Sequence, residues 1–180
     1  KFKYFTNKFY YLSEFKINNI TVTNIDCYGT ATGYINVAVS GGVLPYSYMW
    51  TRDGSPGYSA TSANLVEVIA GNYNYVATDA RGCTVDSSIV ITQTDSMLIS
   101  AQVQSISCFG ETYDGAIKQT VSGGNPGYTY SWSNNLSSKD IVDLRPGAYY
   151  CTIRDSKNCR STQRYIVDEP GTVYGSFILK

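Results

Sequence analysis

The chain repeats itself, and the repeat limits what it can fold into more than any other feature. Residues 25–50 read IDCYGTATGYINVAVSGGVLPYSYMW and residues 106–132 read ISCFGETYDGAIKQTVSGGNPGYTYSW. Cys27 aligns with Cys108, Gly29 with Gly110, and Gly33 with Gly115. Ser40-Gly41-Gly42 aligns with Ser122-Gly123-Gly124, and Tyr46, Tyr48 and Trp50 align with Tyr128, Tyr130 and Trp132. Further on, NLVEVIAGNYNYVATDARGC at 64–83 answers DIVDLRPGAYYCTIRDSKNC at 140–159. The offset is 81 at the first Cys, 82 at the Trp and 76 at the second Cys, so the second copy loses six residues after Trp132. The organisation expected is repeat 1 over 19–94 and repeat 2 over 95–170. Residues 1–18 form an N-terminal segment, read as the end of a preceding repeat, and 171–180 read as the start of a further one.

Within each copy the periodicity is that of strands. Ile35, Val37 and Val39 alternate with Tyr34, Asn36 and Ala38, the two-residue period of a half-buried strand. Tyr73, Tyr75 and Ala77 share a face in a later strand, and Ile89 and Ile91 in the last. Gly and Pro punctuate at turn spacing, and no stretch keeps a helical period. The fold class expected is all-β, with two tandem immunoglobulin-like β-sandwich repeats of about seven short strands each.

Asp79-Ala-Arg-Gly82-Cys83 and Asp155-Ser-Lys-Asn158-Cys159 read as one hairpin turn. Gly82 and Asn158 tolerate positive φ, and Asp79 and Asp155 would cap the turn through backbone hydrogen bonds. A calcium ligand is the weaker reading, because no D-x-D-x-D-G loop accompanies them.

Five Cys are present. Cys27 with Cys83 and Cys108 with Cys159 recur once per repeat, so the expectation is one bond inside each repeat, tying an opening segment to the last hairpin. Pairing across repeats is open but would not explain why both Cys recur together. Each bond would close about 55 residues, worth roughly 4 kcal/mol on the chain-entropy model. Cys151 has no counterpart. It alternates with Tyr149 and Ile153 and reads as a buried core thiol.

Composition narrows the function. The chain has no His, which removes His-based triads and the commonest metal ligand. Lys+Arg and Asp+Glu are both 14, which argues against a nucleic-acid binder. No apolar run is long enough to span a membrane. Without an initiator Met or an apolar h-region, the sequence reads as a mature fragment of something longer. No enzyme activity, cofactor or metal is expected.

The pattern Cys-aromatic-Gly, alternating strand, Ser-Gly-Gly-x-x-Pro-Tyr-x-Tyr-x-Trp, then Gly-x-Tyr-x-x-x-x-x-Asp-x-x-Gly-Cys resembles the SprB-type repeat of giant surface adhesins in gliding Bacteroidota. Repeat 2 departs from it in having Pro126-Gly127 where repeat 1 has Leu44-Pro45, and Asn158 in place of Gly82. The resemblance implies export, display at the outer membrane, and a part in surface attachment and gliding motility. Neighbouring repeats of the same chain, surface polysaccharide and other surface proteins are the partners it implies. The alternative is a carbohydrate- or protein-binding accessory module of a secreted multidomain protein. Asp95-Ser96-Met97 resembles the O-glycosylation pattern of exported Bacteroidota proteins, with Ser96 as acceptor.

A ligand, if bound, is expected where the copies diverge, since binding residues sit on loops carried by a rigid scaffold. Those loops are 51–63 and 133–139, and the candidates are Arg52, Asp53 and Tyr58 in the first and Asn134 and Asn135 in the second. The Tyr46, Tyr48, Tyr128 and Tyr130 rings share a face with the Trp residues and read as core rather than as a sugar-stacking stripe.

Overall fold

The computed structural model describes residues 13–109 and 113–171. The expectations for residues 1–12, Gly110 and residues 172–180 lie outside them. The chain divides into two compact units. One comprises residues 1–25 and 29–93, the other residues 26–28 and 94–180.

The first unit carries seven strands: β1 (Lys16–Thr23), β2 (Gly33–Ser40), β3 (Ser47–Arg52), β4 (Ser59–Ala60), β5 (Leu65–Val68), β6 (Gly71–Thr78) and β7 (Thr84–Ile91). They form two antiparallel sheets, β1-β2-β5 and β4-β3-β6-β7. This is an immunoglobulin-like sandwich, and the alternation read from the sequence explains it. Ile35 and Val37 of β2 face Trp50, Tyr73, Tyr75, Ala77, Ile89 and Ile91 of the opposite sheet in one buried cluster. Tyr48 packs against that cluster beside Trp50, so those two rings are core, whereas Tyr46 is half-buried outside the cluster and donates its hydroxyl to Gly41 C=O. Burying aromatics of this size is the largest apolar contribution a unit so small can make.

The second unit repeats the plan with β8 (Leu98–Gln104), β9 (Gly115–Ser122), β10 (Thr129–Trp132), β11 (Ile141–Leu144), β12 (Gly147–Arg154) and β13 (Arg160–Val167). Its sheets are β11-β9-β8 and β10-β12-β13. Six strands stand here among the described residues, against about seven expected. The six residues lost after Trp132 are those that would make the counterpart of β4. Ile117, Trp132, Ile141, Leu144, Cys151, Ile153 and Val167 form the core, with Tyr128 and Tyr130 packed on it. Cys151 is fully buried, as its alternation predicts. Burial pushes its thiol pKa up, while the Gln119 amide and the Ser131 backbone pull it the other way.

Cys151 takes the place of Tyr75, and the exchange exposes a flaw in the first core. The Tyr75 side chain is fully buried, and its hydroxyl finds no hydrogen-bond partner among the described residues. Burial, with the neighbouring Tyr48 hydroxyl adding to it, pushes its pKa to about 12. A buried polar group without a partner costs stability. Tyr75→Phe is therefore expected to stabilise the first unit by about 1 kcal/mol, seen as a higher urea midpoint. A lower midpoint would mean that the hydroxyl has a partner.

Candidate functional site

The most elaborate local structure in each unit is the turn before its last strand, and the two turns share the same set of backbone bonds to their Asp side chain, to which the second adds one from Asn125 Nδ2 at 3.0 Å. Asp79 Oδ1 accepts from the backbone N–H of Arg81 and Cys83, both at 2.9 Å, and Oδ2 accepts from Val43 N–H at 2.9 Å. Asp155 Oδ1 accepts from Lys157 and Cys159 at 2.9 Å each, and Oδ2 accepts from Asn125 N–H at 2.9 Å. The turns close by Gly82 N–H to Asp79 C=O and Asn158 N–H to Asp155 C=O, both 3.0 Å. Gly82 and Asn158 sit at φ 85° and 64°, the left-handed conformation for which those residue types were singled out. The caps expected from sequence are therefore in place.

Both carboxylates are buried. Desolvation, the largest single influence, raises their pKa, but the converging backbone donors outweigh it and hold both below the ordinary carboxylate range.

The Ser-Gly-Gly motif lies against the same turns. A Cβ on Gly42 would stand 2.7 Å from Asp79 Oδ2, and one on Gly124 would stand 3.1 Å from Asp155 Oδ2. Both glycines have positive φ, 60° and 61°. No other residue lets the backbone come so close to the carboxylate in that conformation.

The disulfide found at this turn corrects the expected pairing. Cys27 is bonded to Cys159, 132 residues away in sequence. Cys27–Cys83 and Cys108–Cys159 do not form. The bond does tie an opening segment to a last hairpin, but that hairpin is the one of the following repeat. Residues 26–28 group with the second unit, and their hydrogen bonds show why. Asp26 C=O accepts from Thr94 Oγ1 at 2.7 Å and Asn125 Nδ2 at 2.8 Å, and its carboxylate lies 3.7 Å from Lys157 Nζ. Those contacts present Cys27 to Cys159. Cys83 stays exposed at the tip of its own turn. Cys108 is exposed too, its sulfur 3.8 Å from Ser107 Oγ.

The divergent loops prove to be scaffold in good part. Trp50 Nε1–H donates to Ser62 C=O at 2.9 Å, and Trp132 Nε1–H donates to Ser138 C=O at 2.8 Å. Asn64 Oδ1 accepts from Val37 N–H at 3.0 Å, and Asp140 Oδ1 accepts from Gln119 N–H at 2.8 Å. A Ser-x-Asx step just before β5 and β11 thus closes each loop over its Trp. That shared triplet was visible in the sequence and was passed over because the loops differ in length.

The candidate ligand residues do not converge. Arg52 is half-buried, with its side chain lying along Gly71. Tyr58 packs edge-on against Tyr73 at 5.7 Å. Asp53 is exposed and accepts from Asn74 Nδ2 at 2.8 Å. Asn134 and Asn135 are exposed in a turn where Asn135 has φ 67°. Ser96 is half-buried, its carbonyl lying where a Cβ on Gly123 would fall.

A charged face escaped the sequence reading. Arg154 stands directly opposite Arg160 across β12–β13, Thr152 opposite Thr162, and Tyr150 opposite Arg164. All three Arg are exposed, and none makes an ion pair among the described residues. Facing like charges cost stability in a sheet. The i, i+4 spacing of Arg160 and Arg164, with Thr162 between them on the same strand face, was the available signal.

Residues 19–58 and 100–137 match the SprB repeat. A stretch of 59 residues is 36% identical to a decoration protein of Escherichia phage T5, covering 30% of this chain and 36% of that protein. The three N-terminal domains of the highly immunogenic outer capsid protein Hoc of bacteriophage RB49 align over 87% of this chain and 59% of that one. Their identity is 16% and the TM-score 0.46. A C-terminal fragment of intimin, solved with the intimin-binding domain of the translocated intimin receptor, aligns over 85% of this chain and 64% of its own. Here the identity is 14% and the TM-score 0.45. The chain thus spans about a third of the curated relative and less than two thirds of either structure. The two matched stretches mark it as a repeat module.

Proposed function

We propose that this tandem pair of SprB-type repeats is a load-bearing, adhesive segment of a large outer-membrane-displayed adhesin, serving surface attachment and gliding motility without catalysis. The observation that carries the reading is the duplication itself. Each copy builds a complete core and repeats the same Asp-capped, Cys-bearing turn, the economy of a module made to be strung in series. The disulfide supports a life outside the reducing cytosol. No helix among the described residues is long and apolar enough to cross a membrane. The test is an antiserum raised against the chain and applied to intact cells. Surface labelling, with slowed gliding after deletion of the gene, is the expected result. Labelling only after permeabilisation would overturn surface display, and unchanged gliding would overturn the motility role.

The Arg154, Arg160 and Arg164 face favours a second reading, an acidic-polysaccharide-binding module. Unpaired guanidiniums in register suit carboxylate or sulfate groups spaced along a glycan. Retention on polygalacturonate but not on a neutral glucan is expected, falling with salt. Replacing Arg160 and Arg164 with Ser should weaken it about tenfold. Equal retention on both polymers would rule this reading out.

A further inference from the structure

Two polar side chains meet deep in the second core, at the place where antibody domains carry the disulfide that ties their sheets together. We propose that Cys151 and Gln119 condense there into an internal thioester, a covalent bond between the two sheets of the second unit.

The place is defined by its surroundings. In antibody domains the disulfide runs from the second strand to the strand before the last, and a buried Trp of the third strand packs on it. A Tyr two residues before the second Cys sends its hydroxyl back to the chain upstream. The second unit keeps these companions. Trp132 on β10, its third strand, is buried and stands directly opposite Cys151. Tyr149, two residues before Cys151, donates its hydroxyl to Arg145 C=O at 2.9 Å, as Tyr73 does to Ile69 C=O at 2.7 Å in the first unit. Cys151, on β12, therefore holds the position of the second Cys. Across the core, Ile117 and Val121 of β9 pack into the cluster that contains Cys151. Gln119 lies between them on the same strand face and is 2% exposed.

Gln119 is costly there. Its counterpart is Val37, whose backbone N–H is held by Asn64 as that of Gln119 is held by Asp140. Neither amide atom of Gln119 has a hydrogen-bond partner, and a buried carboxamide in that condition destabilises a core. It lies beside the one buried thiol. Burial raises the Cys151 pKa, and the Gln119 amide is close enough to work against that rise. A thiol and a carboxamide side by side, both shut away from water, are the two reactants of an acyl transfer. The first unit has Val37 and Tyr75 in these places, so it holds neither group.

The step needs no oxidant and no third reactant. Cys151 Sγ bonds to Gln119 Cδ, the Cδ–Nε2 bond breaks, and the thiol proton leaves with the nitrogen as ammonia. No electrons are exchanged. Ammonia is protonated and diluted in the solvent, which draws the reaction forward, and the dry core keeps water from the new bond. The unpartnered N–H groups leave the core in the same step. The product joins β9 to β12, strands of opposite sheets, so the sandwich cannot open along that line without breaking a covalent bond.

The test is the intact mass of the whole chain, purified at mildly acidic pH without thiol reductant. The expected mass is lower by one ammonia than the sequence with its Cys27–Cys159 bond requires. Cleavage before Asp should yield peptides 114–139 and 143–154 joined. Hydroxylamine on the unfolded chain should part them, leaving a hydroxamate at Gln119 and a titratable thiol at Cys151. Cys151→Ala should restore the lost mass. A wild-type chain that has lost no ammonia would overturn the proposal, as would a loss that survives Cys151→Ala. Gln119→Cys checks the placement separately. A disulfide to Cys151 is expected, and two free thiols at these positions would overturn the proposal as well. The bond stands on the second core and not on the surface role, so antiserum labelling and mass measurement can fail independently.

Discussion

Trp50→Ala is expected to remove about 4 kcal/mol from the first unit, most of what a domain of this size has to lose. The ring is fully buried, lies 4.6 Å from the Tyr75 ring, and ties the loop above it to the core through Ser62 C=O. Truncation therefore opens a cavity, strips Tyr75 of its neighbour and leaves that carbonyl without its donor. Trp132→Ala should do the same to the second unit, through Ser138 C=O and the Tyr165 ring at 5.8 Å. The chain has two Trp, so each variant keeps one fluorescent reporter in the unit that was not mutated. Urea unfolding of Trp50→Ala should show the Trp132 signal near its wild-type midpoint, while far-ultraviolet dichroism reveals a new early transition. A Trp50→Ala unfolding free energy within about 1 kcal/mol of wild type would mean that the ring is not the keystone its burial implies.

The strands were legible because the sandwich imposes a two-residue period on them, and Ile35, Val37, Tyr73, Tyr75 and Ala77 obey it. The Asp turn was legible because Asp, a residue tolerant of positive φ, and Cys recur together at fixed spacing. The disulfide partner was not, and the reason is a degeneracy. One opening and one closing Cys per repeat is the pattern left both by bonds within a repeat and by bonds from each repeat to the next. The contacts of Asp26 with Thr94, Asn125 and Lys157 break the tie, and they join residues 68, 99 and 131 positions apart in sequence. The loops misled for a related reason. Length variation around Ser62 and Ser138 drew attention to Arg52, Asp53 and Tyr58, while the constant Ser-x-Asx step carried the structure. The Arg face was lost in a net charge of zero, which sums residues without placing them on a sheet.

Asp155→Ala should cost the second unit about 3 kcal/mol, because the backbone N–H groups of Asn125, Lys157 and Cys159 lose one common buried acceptor. Asp155→Asn should cost less. Its single carbonyl can still serve Lys157 and Cys159, but its amide nitrogen then faces the Asn125 N–H, donor against donor. Asp79→Ala should act in the same direction on the first unit. The acid response follows from the same geometry. Both carboxyls are held below their ordinary pKa in the folded chain, so the unfolded chain takes up protons first as pH falls. Their contribution is complete above the ordinary Asp value of about 3.9 and drains away as pH drops through the lower folded-state values. Urea midpoints should thus hold steady from neutral pH toward 5 and then fall steeply below about 4. Asp155→Asn, which cannot ionise, should flatten that fall for the second unit, followed through Trp132. Identical acid profiles for wild type and Asp155→Asn would show that this carboxylate is not what fastens the turn.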